Sequence, residues 1–315
     1  MGEKANSVFT IIFLGGIILF LAVADLVKAH IDNPDNYWKT EEFIGQDKWN
    51  MIQSGAELVL QKKDINGVYL GREHRLFAMH LPSDYKPEKM DCKLDCLVSF
   101  VKEWDAKVLL VPSADNVYPE LLPEFASKYD EEIIIGKVKE LIGEQRMISV
   151  FDILRRHKGE DIFYKTDSGW TALGAYYAYL EWLRVTGRPP YQYDRSELES
   201  ISDHFLGDLY DKAHVYYESD SVKIFPKRRL LYEQLWSQTD KVLALGTGFE
   251  RNRRLFVVGD NNVEEFIPLL APIYKSIYVM RTTDFDSSVS KVAGMYLNEG
   301  DDVLVLYNCS NLFLN

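Results

Sequence analysis

Two stretches hold the residues whose types and spacing could do chemistry. The first is Thr166–Tyr179, TDSGWTALGAYYAY, where Asp167, Ser168 and Trp170 stand at the change from a polar segment to an aromatic helix. The second is LFVVGDNNVEEFIPLL, where Gly259, Asp260, Asn261 and Asn262 stand between a strand and a helix. In open parallel sheets, ligands bind outside the carboxyl ends of the strands. A helix that starts there offers free N–H groups and a field that favours negative charge. A nucleophile at position 261 would have an oxyanion site ready beside it. Asn261 is an amide, which donates hydrogen bonds but does not attack. Asp167 and Asp260 could serve as an acid/base pair if the fold brings them together; otherwise they are carboxylates bonded locally at strand ends. Ser168 could be a nucleophile only with a base beside it, and its neighbours supply none.

The elements that must position these residues follow from pattern. From Arg254 the chain alternates cleanly: strand Leu255–Val258, helix Val263–Leu270, strand Ser276–Met280, helix Ser287–Leu297, strand Asp302–Tyr307. That alternation predicts a parallel sheet covered by helices, an α/β fold. Ala106–Ser113 is a continuous apolar run, as expected of a strand buried on both faces. It follows a helical spacing over about 90–104. Ile65–Gly71 reads as one short strand with a glycine turn on each side. Glu131–Arg146 reads as one helix, Met147–Val150 as a strand and Asp152–His157 as a short helix. Thr171 is the expected N-cap of a helix over 172–185, with Gly187 beyond its end. Tyr176, Tyr177, Tyr179 and Trp182 recur at helical spacing and read as core rather than as a stacking platform. Residues 190–253 read as an irregular insertion with hairpins.

The bulk numbers exclude some classes. A chain of 315 residues, 47% hydrophobic and 27% charged, has ordinary globular composition. Its net charge is −12, with no dense Lys/Arg stripe, so nucleic-acid binding is not expected. Cys92, Cys96 and Cys309 are too few for a disulfide framework, and no metal-ligand spacing accompanies them. No metal and no cofactor are expected. Val8–Ala24 is apolar almost throughout and flanked by Lys4 and Lys28, which predicts a transmembrane anchor over residues 1–28. Ala22-Val23-Ala24 also fits signal cleavage, but the apolar run is longer than a usual signal core. A connector over 29–60 then leads to a single α/β domain over 61–315.

The chain resembles the DHHW family of membrane-anchored bacterial proteins, relatives of the SGNH-hydrolase-like proteins of alginate O-acetylation and, remotely, of a D-alanylation protein. NGVYLG (Asn66–Gly71), LLVPSADNVYPELLP (Leu109–Pro123), TDSGWTALGAYYAY, DHFLGDLYDKA (Asp203–Ala213) and RRLFVVGDNN carry the resemblance in the expected order. It implies an SGNH-like sheet and a Ser-His-Asp triad formed from both junctions. Asp167 and Trp170 match the family motif. The triad histidine falls on Gly169 and the serine on Asn261. Ser168 takes the remaining motif position. The six histidines stand at none of the positions the family uses; His204 alone lies in a family-like segment and reads as a loop residue. Triad members act as a unit, so losing two removes the acyl-enzyme route through this site.

The resemblance therefore implies an anchored, extracytoplasmic SGNH-like pseudoenzyme in cell-envelope polysaccharide O-acylation. Asp167 would be a triad remnant, and Ser168, Trp170, Asp260 and Asn261 would contact substrate. Implied partners are an envelope polysaccharide or teichoic acid, a membrane-bound O-acyltransferase and the cytoplasmic membrane itself. Two other readings stay open: an O-acyltransferase or esterase with a rearranged site, and a plain structural or interaction protein.

Overall fold

The computed structural model describes residues 62–314 except 189–190, 192, 216, 226–232, 240–241 and 250, together with positions 50, 51, 53–55, 57 and 60. The chain divides into two compact units, Met1–Lys62 and Lys63–Asn315. In the first, the described positions from 50 to 57 are helical. The expected anchor and nearly all of the connector lie outside the described residues. Among the described residues, no helix is long and apolar enough to cross a membrane.

The second unit begins with three short strands, β1 (Asp64–Ile65), β2 (Val68–Leu70) and β3 (Leu76–Ala78), paired antiparallel. The single strand expected at Ile65–Gly71 is instead a hairpin. Its turn is Asn66-Gly67, both with positive φ (50° and 77°), the conformation a tight hairpin turn requires. Then come α1 (Pro87–Trp104), β4 (Lys107–Val111), α2 (Ala114–Val117), α3 (Glu131–Ile142), β5 (Met147–Ile148), α4 (Phe151–Arg156) and α5 (Ala172–Thr186). The helix expected over Glu131–Arg146 ends early. Gly143 at φ 88° stops α3 and a short 3₁₀ turn follows. For α5 the expected caps are present: Thr171 Oγ1 accepts from Gly174 N at 3.3 Å, and Gly187 closes the helix in the left-handed conformation.

The remaining elements are β6 (Glu199–Phe205), α6 (Asp208–Ala213), β7 (Asp220–Ile224), β8 (Glu233–Thr239), β9 (Val242–Gly246), β10 (Arg254–Gly259), α7 (Val263–Leu270), β11 (Ser276–Arg281), α8 (Ser287–Tyr296), β12 (Asp302–Asn308) and α9 (Cys309–Leu314). The main sheet runs β5-β4-β12-β10-β11-β9-β8. Its first five strands are parallel, and β9 and β8 add an antiparallel edge. Only part of the 190–253 stretch is therefore an insertion. The β6–β7 pair and α6 stand apart, whereas β8 and β9 complete the main sheet.

Burial explains the strand pattern. Along β4, β10 and β12 nearly every residue is buried, with alternate side chains entering opposite layers. Val108, Leu110, Val258 and Val305 pack against α1, α3, α8 and α9. Leu109, Val111, Val257 and Leu304 pack against α4, α5 and α7. Each such fully buried side chain stabilises the fold by about 1.5–3 kcal/mol relative to exposure. Tyr177, Tyr179 and Trp182 of α5 are buried in this second layer, as their spacing implies. The topology fixes where a site can form. β4 leads outward to β5, β10 leads outward to β11, and β12 enters between β4 and β10. The carboxyl ends of these three strands face the crevice at which open sheets bind ligands.

Candidate functional site

Both junctions reach that crevice and touch each other. Trp170 is 1% exposed, stacks on Phe266 at 5.9 Å and donates from Nε1 to the carbonyl of Asn262 at 3.1 Å. One side chain thus ties the first junction to the second. It does so from inside the core, so Trp170 offers no ring face to a ligand. Its indole supplies apolar area and one buried polar handle, the combination for which tryptophan suits such a position.

The loop 164–169 is clamped from below. Phe163 bridges Trp170, and Tyr164 N donates to Gly169 O at 3.3 Å. Buried Arg75 donates to the carbonyls of Phe163 and Tyr164, at 3.2 and 2.8 Å. Asp220 accepts from Lys165 N, Thr166 N and Thr166 Oγ1 at 2.6–3.0 Å. Leu209 and Tyr210 amides reach Thr166 O, and Gly207 N reaches Thr166 Oγ1 at 3.1 Å. A Cβ on Gly207 would lie 2.2 Å from Asp167 Cβ, so only glycine lets these segments approach. The work of DHFLGDLYDKA is therefore to hold the first junction.

Asp167 is committed to this loop. Its Oδ1 accepts from Gly169 N at 2.7 Å and its Oδ2 from Asp208 N at 3.1 Å. Burial, and then the neighbouring Asp208 carboxylate, push its pKa above the ordinary aspartate value. Gly169 has no side chain to orient, and a Cβ there would already lie 3.0 Å from Asp167 Oδ1. Ser168 N donates to Asp208 Oδ1 at 2.8 Å.

Asp260 is held differently. It is 4% exposed and its carboxylate accepts four hydrogen bonds. Oδ1 takes Asn262 N and Nδ2 at 2.9 and 3.0 Å. Oδ2 takes Asn308 N and Asn311 Nδ2, both at 2.8 Å. Asp260 thereby fastens the end of β10 to the end of β12 and to α9. It shares no hydrogen bond with Asp167; each carboxylate is taken up by donors of its own surroundings. Asn261 is exposed, whereas the next residue, Asn262, is buried beneath Trp170.

The crevice between the junctions is a cavity of about 100 Å³. Ser168 and Asn262 line it, together with His80, Asp115, Asp208, Lys212 and the strand-end residues Ser113, Asn308 and Ser310. Three buried polar atoms at its wall have no partner among the described residues: His80 Nδ1, Asp115 Oδ2 and Asn262 Oδ1. Beneath them, Glu131 is fully buried and accepts from Ser113 N and Oγ at 2.7 and 2.8 Å. Burial and the nearby Asp115 push Glu131 up to about 8. Burial likewise pushes Asp115 up to about 6. Burial, and then Lys212, push His80 down to about 4, so its imidazole is neutral at pH 7 and a weak base.

Of the expected site residues, Ser168 alone lines the cavity; Asp167 and Trp170 build its wall from behind, Asp260 braces it, and Asn261 lies outside. Sequence reasoning missed His80, Asp115, Asp208 and Asn262. Asp115 and Asn262 follow the ends of buried parallel strands, a signal that could have selected them. For His80 no local signal exists, because it arrives from the small antiparallel sheet. No group of three or more His, Cys, Asp or Glu side chains among the described residues could hold a metal ion.

Comparison with known proteins fits this geometry. Residues 132–249 match the family model of the DHHW protein, a span that holds the first junction and, of its clamp, Gly207, Asp208 and Asp220. Among solved structures, a DHHW family protein from Eubacterium siraeum superposes with a TM-score of 0.61 at 17% identity, over 79% of this chain and 93% of that one. Bacillus cereus PatB1 with a sulfonyl adduct gives 0.61 at 14%, over 79% and 97%. The O-acetyltransferase domain of Pseudomonas putida AlgJ gives 0.52 at 14%, over 79% and 93%. No curated protein sequence matches significantly. At these identities the structures establish a shared fold: a mostly parallel sheet flanked by helices.

Proposed function

The chain carries a DHHW family segment, and from that premise we propose that it is an accessory saccharide-binding protein of cell-envelope polysaccharide O-acylation. It binds in the crevice between the two junctions and does not itself transfer the acyl group. The AlgJ fold neighbour, an O-acetyltransferase domain, supports the acylation context. The proposal includes an N-terminal anchor at 8–24, an extracytoplasmic domain and a membrane-bound O-acyltransferase as partner. A substrate-like polymer, either polysaccharide or teichoic acid, is the proposed ligand.

The observation that carries the reading is the contrast between a kept scaffold and missing reactive groups. Trp170 still joins the junctions, and Asp167 is still held in the loop by two backbone N–H groups. Where an imidazole and a hydroxyl would complete the chemistry, the chain has Gly169 and an exposed Asn261. His80 does not replace the lost base, since its depressed proton affinity leaves it weak at neutral pH. Meanwhile the cavity keeps buried, unpartnered acceptors, which favour a ligand over an empty shell.

The test uses the full-length chain. Its hydrolysis of p-nitrophenyl acetate is expected to match the buffer rate, while short envelope glycans give saturable heats in titration calorimetry. Hydrolysis well above buffer that disappears on Ser168→Ala or Asn261→Ala would establish a working enzyme instead. Absence of any glycan heat would leave a plain interaction protein.

A further inference from the structure

We infer that the cavity between the junctions is selective for a primary ammonium group, presented by the ligand that the proposed binding function requires. The inference rests on that reading and adds the chemical class that the site selects. The argument starts from the three buried polar atoms without a partner, Asp115 Oδ2, Asn262 Oδ1 and His80 Nδ1. Asp115 is 2% exposed and Asn262 is 6% exposed, and both line the cavity. Leaving a buried polar atom unpaired costs about 1–3 kcal/mol, so three such atoms on residues that line one cavity point to a bound partner.

Their orientation is set by neighbours. Asn262 Nδ2 is held by Asp260 Oδ1 at 3.0 Å, which fixes Oδ1 as the atom left over. Asp115 Oδ1 accepts from Asn116 Nδ2 at 3.3 Å, leaving Oδ2 bare. His80 is neutral at pH 7, and its Nδ1 accepts in the Nε2-protonated tautomer and donates in the other. The wall therefore presents a carboxylate oxygen, an amide oxygen and an imidazole nitrogen.

Charge favours the same ligand. The ionisable lining holds two carboxylates, Asp115 and Asp208, and one cation, Lys212. Lys212 already pairs with Asp208 at 3.3 Å. Lys128, which attracts Asp115 from behind the wall, gives its ammonium to Asn116 Oδ1 at 3.0 Å. Among the described residues, Asp115 is thus a buried carboxylate without a hydrogen-bonded cation. A hydroxyl would bring one proton and two lone pairs, and the lone pairs would face other acceptors. An alkylammonium brings three donors and no lone pair, matching the bare carboxylate and amide oxygens and, in its Nε2-protonated tautomer, His80 Nδ1. A volume of about 100 Å³ suits such a head group and little more.

The experiment is titration calorimetry on the full-length chain with glucosamine, glucose, N-acetylglucosamine and glycine methyl ester. Glucosamine is expected to bind at least about tenfold more tightly than the two neutral sugars. Asp115→Asn is expected to erase that preference. Lys212→Met, a change at an exposed position that leaves the fold intact, is expected to strengthen glucosamine binding about threefold by removing an opposing charge. Binding of glycine methyl ester as tight as glucosamine would assign the site to the ammonium alone; weaker binding would assign it to an amino sugar. Equal affinity for glucose and glucosamine would overturn ammonium selectivity while leaving saccharide binding intact. Binding of none of the four, with longer glycans still bound, would also overturn it. If longer glycans fail as well, the proposed function itself falls.

Discussion

The two junctions each place an aspartate at the same crevice, and the chain treats them in opposite ways. Asp260 sits at the end of a strand buried on both faces, and four donors converge on its carboxylate. Asp167 sits in a loop, takes two backbone donors and faces a second carboxylate, Asp208. One aspartate is a fastener of the sheet. The other is a residue kept under electrostatic tension, the condition in which catalytic carboxylates are usually found. On the proposed reading, Gly169 and Asn261 stand where a triad would need an imidazole and a hydroxyl, beside both carboxylates. An aspartate in a triad motif is thus no evidence of catalysis until its donors and neighbours are known.

The sharpest way to test this contrast is to remove the fastener. Asp260→Ala leaves several buried donors unpaired and is expected to destabilise the fold by roughly 4 kcal/mol, measured by urea unfolding. A loss below about 1 kcal/mol would mean that the strand ends do not depend on it. Gly207→Ala comes next. Its methyl would collide with Asp167, and a loss of about 2 kcal/mol is expected, with the first junction displaced. Crystals of that variant with Asp167 unmoved would refute the clamp.

The smallest effect is expected at Asp167 itself. Asp167→Asn removes the repulsion from Asp208 but gives up part of an acceptor, so stability at pH 7 should change by less than about 1 kcal/mol. The pH dependence carries more information. A carboxyl whose folded pKa is raised above its ordinary 3.8 adds stability that is fully present below 3.8 and lost as pH rises through the folded value. Relative to the variant, the wild type should therefore gain stability as pH falls through that window. A difference that is flat between pH 7 and 3.5 would show that neither burial nor Asp208 raises the Asp167 carboxyl.

Much of the fold was legible because buried parallel strands announce themselves. KVLLV, LFVV and VLVLY are continuous apolar runs, and α7 was read to its residue bounds. The caps of α5 were legible from Thr171 and Gly187 for the same local reason. Strand order was not, since nothing local in Asp302–Asn308 says that it lies between β4 and β10 rather than beside β11. β8 and β9 were read as insertion because antiparallel edge pairing depends on partners distant in sequence. At the site, the sequence located both junctions, and the structure turns Asn262 rather than Asn261 inward. Asn261 and Asn262 are identical in type, and tertiary packing decides which turns inward: Asn262 donates from N and Nδ2 to Asp260 and accepts at O from Trp170. His80 was illegible altogether, because a tertiary contact alone brings it to the cavity.

The position of β12 also bears on how the protein is made. β4 emerges from the ribosome early and presents an unpaired apolar edge on the side that β12 will fill. That edge waits until nearly all of the domain has been synthesised, since β10 too reaches the sheet only through β12 on that side. Until β12 has been made, a nascent chain with such a late central strand stays exposed to strand-edge association. Its passage to the folded state is thus one in which a holding chaperone has the most to do.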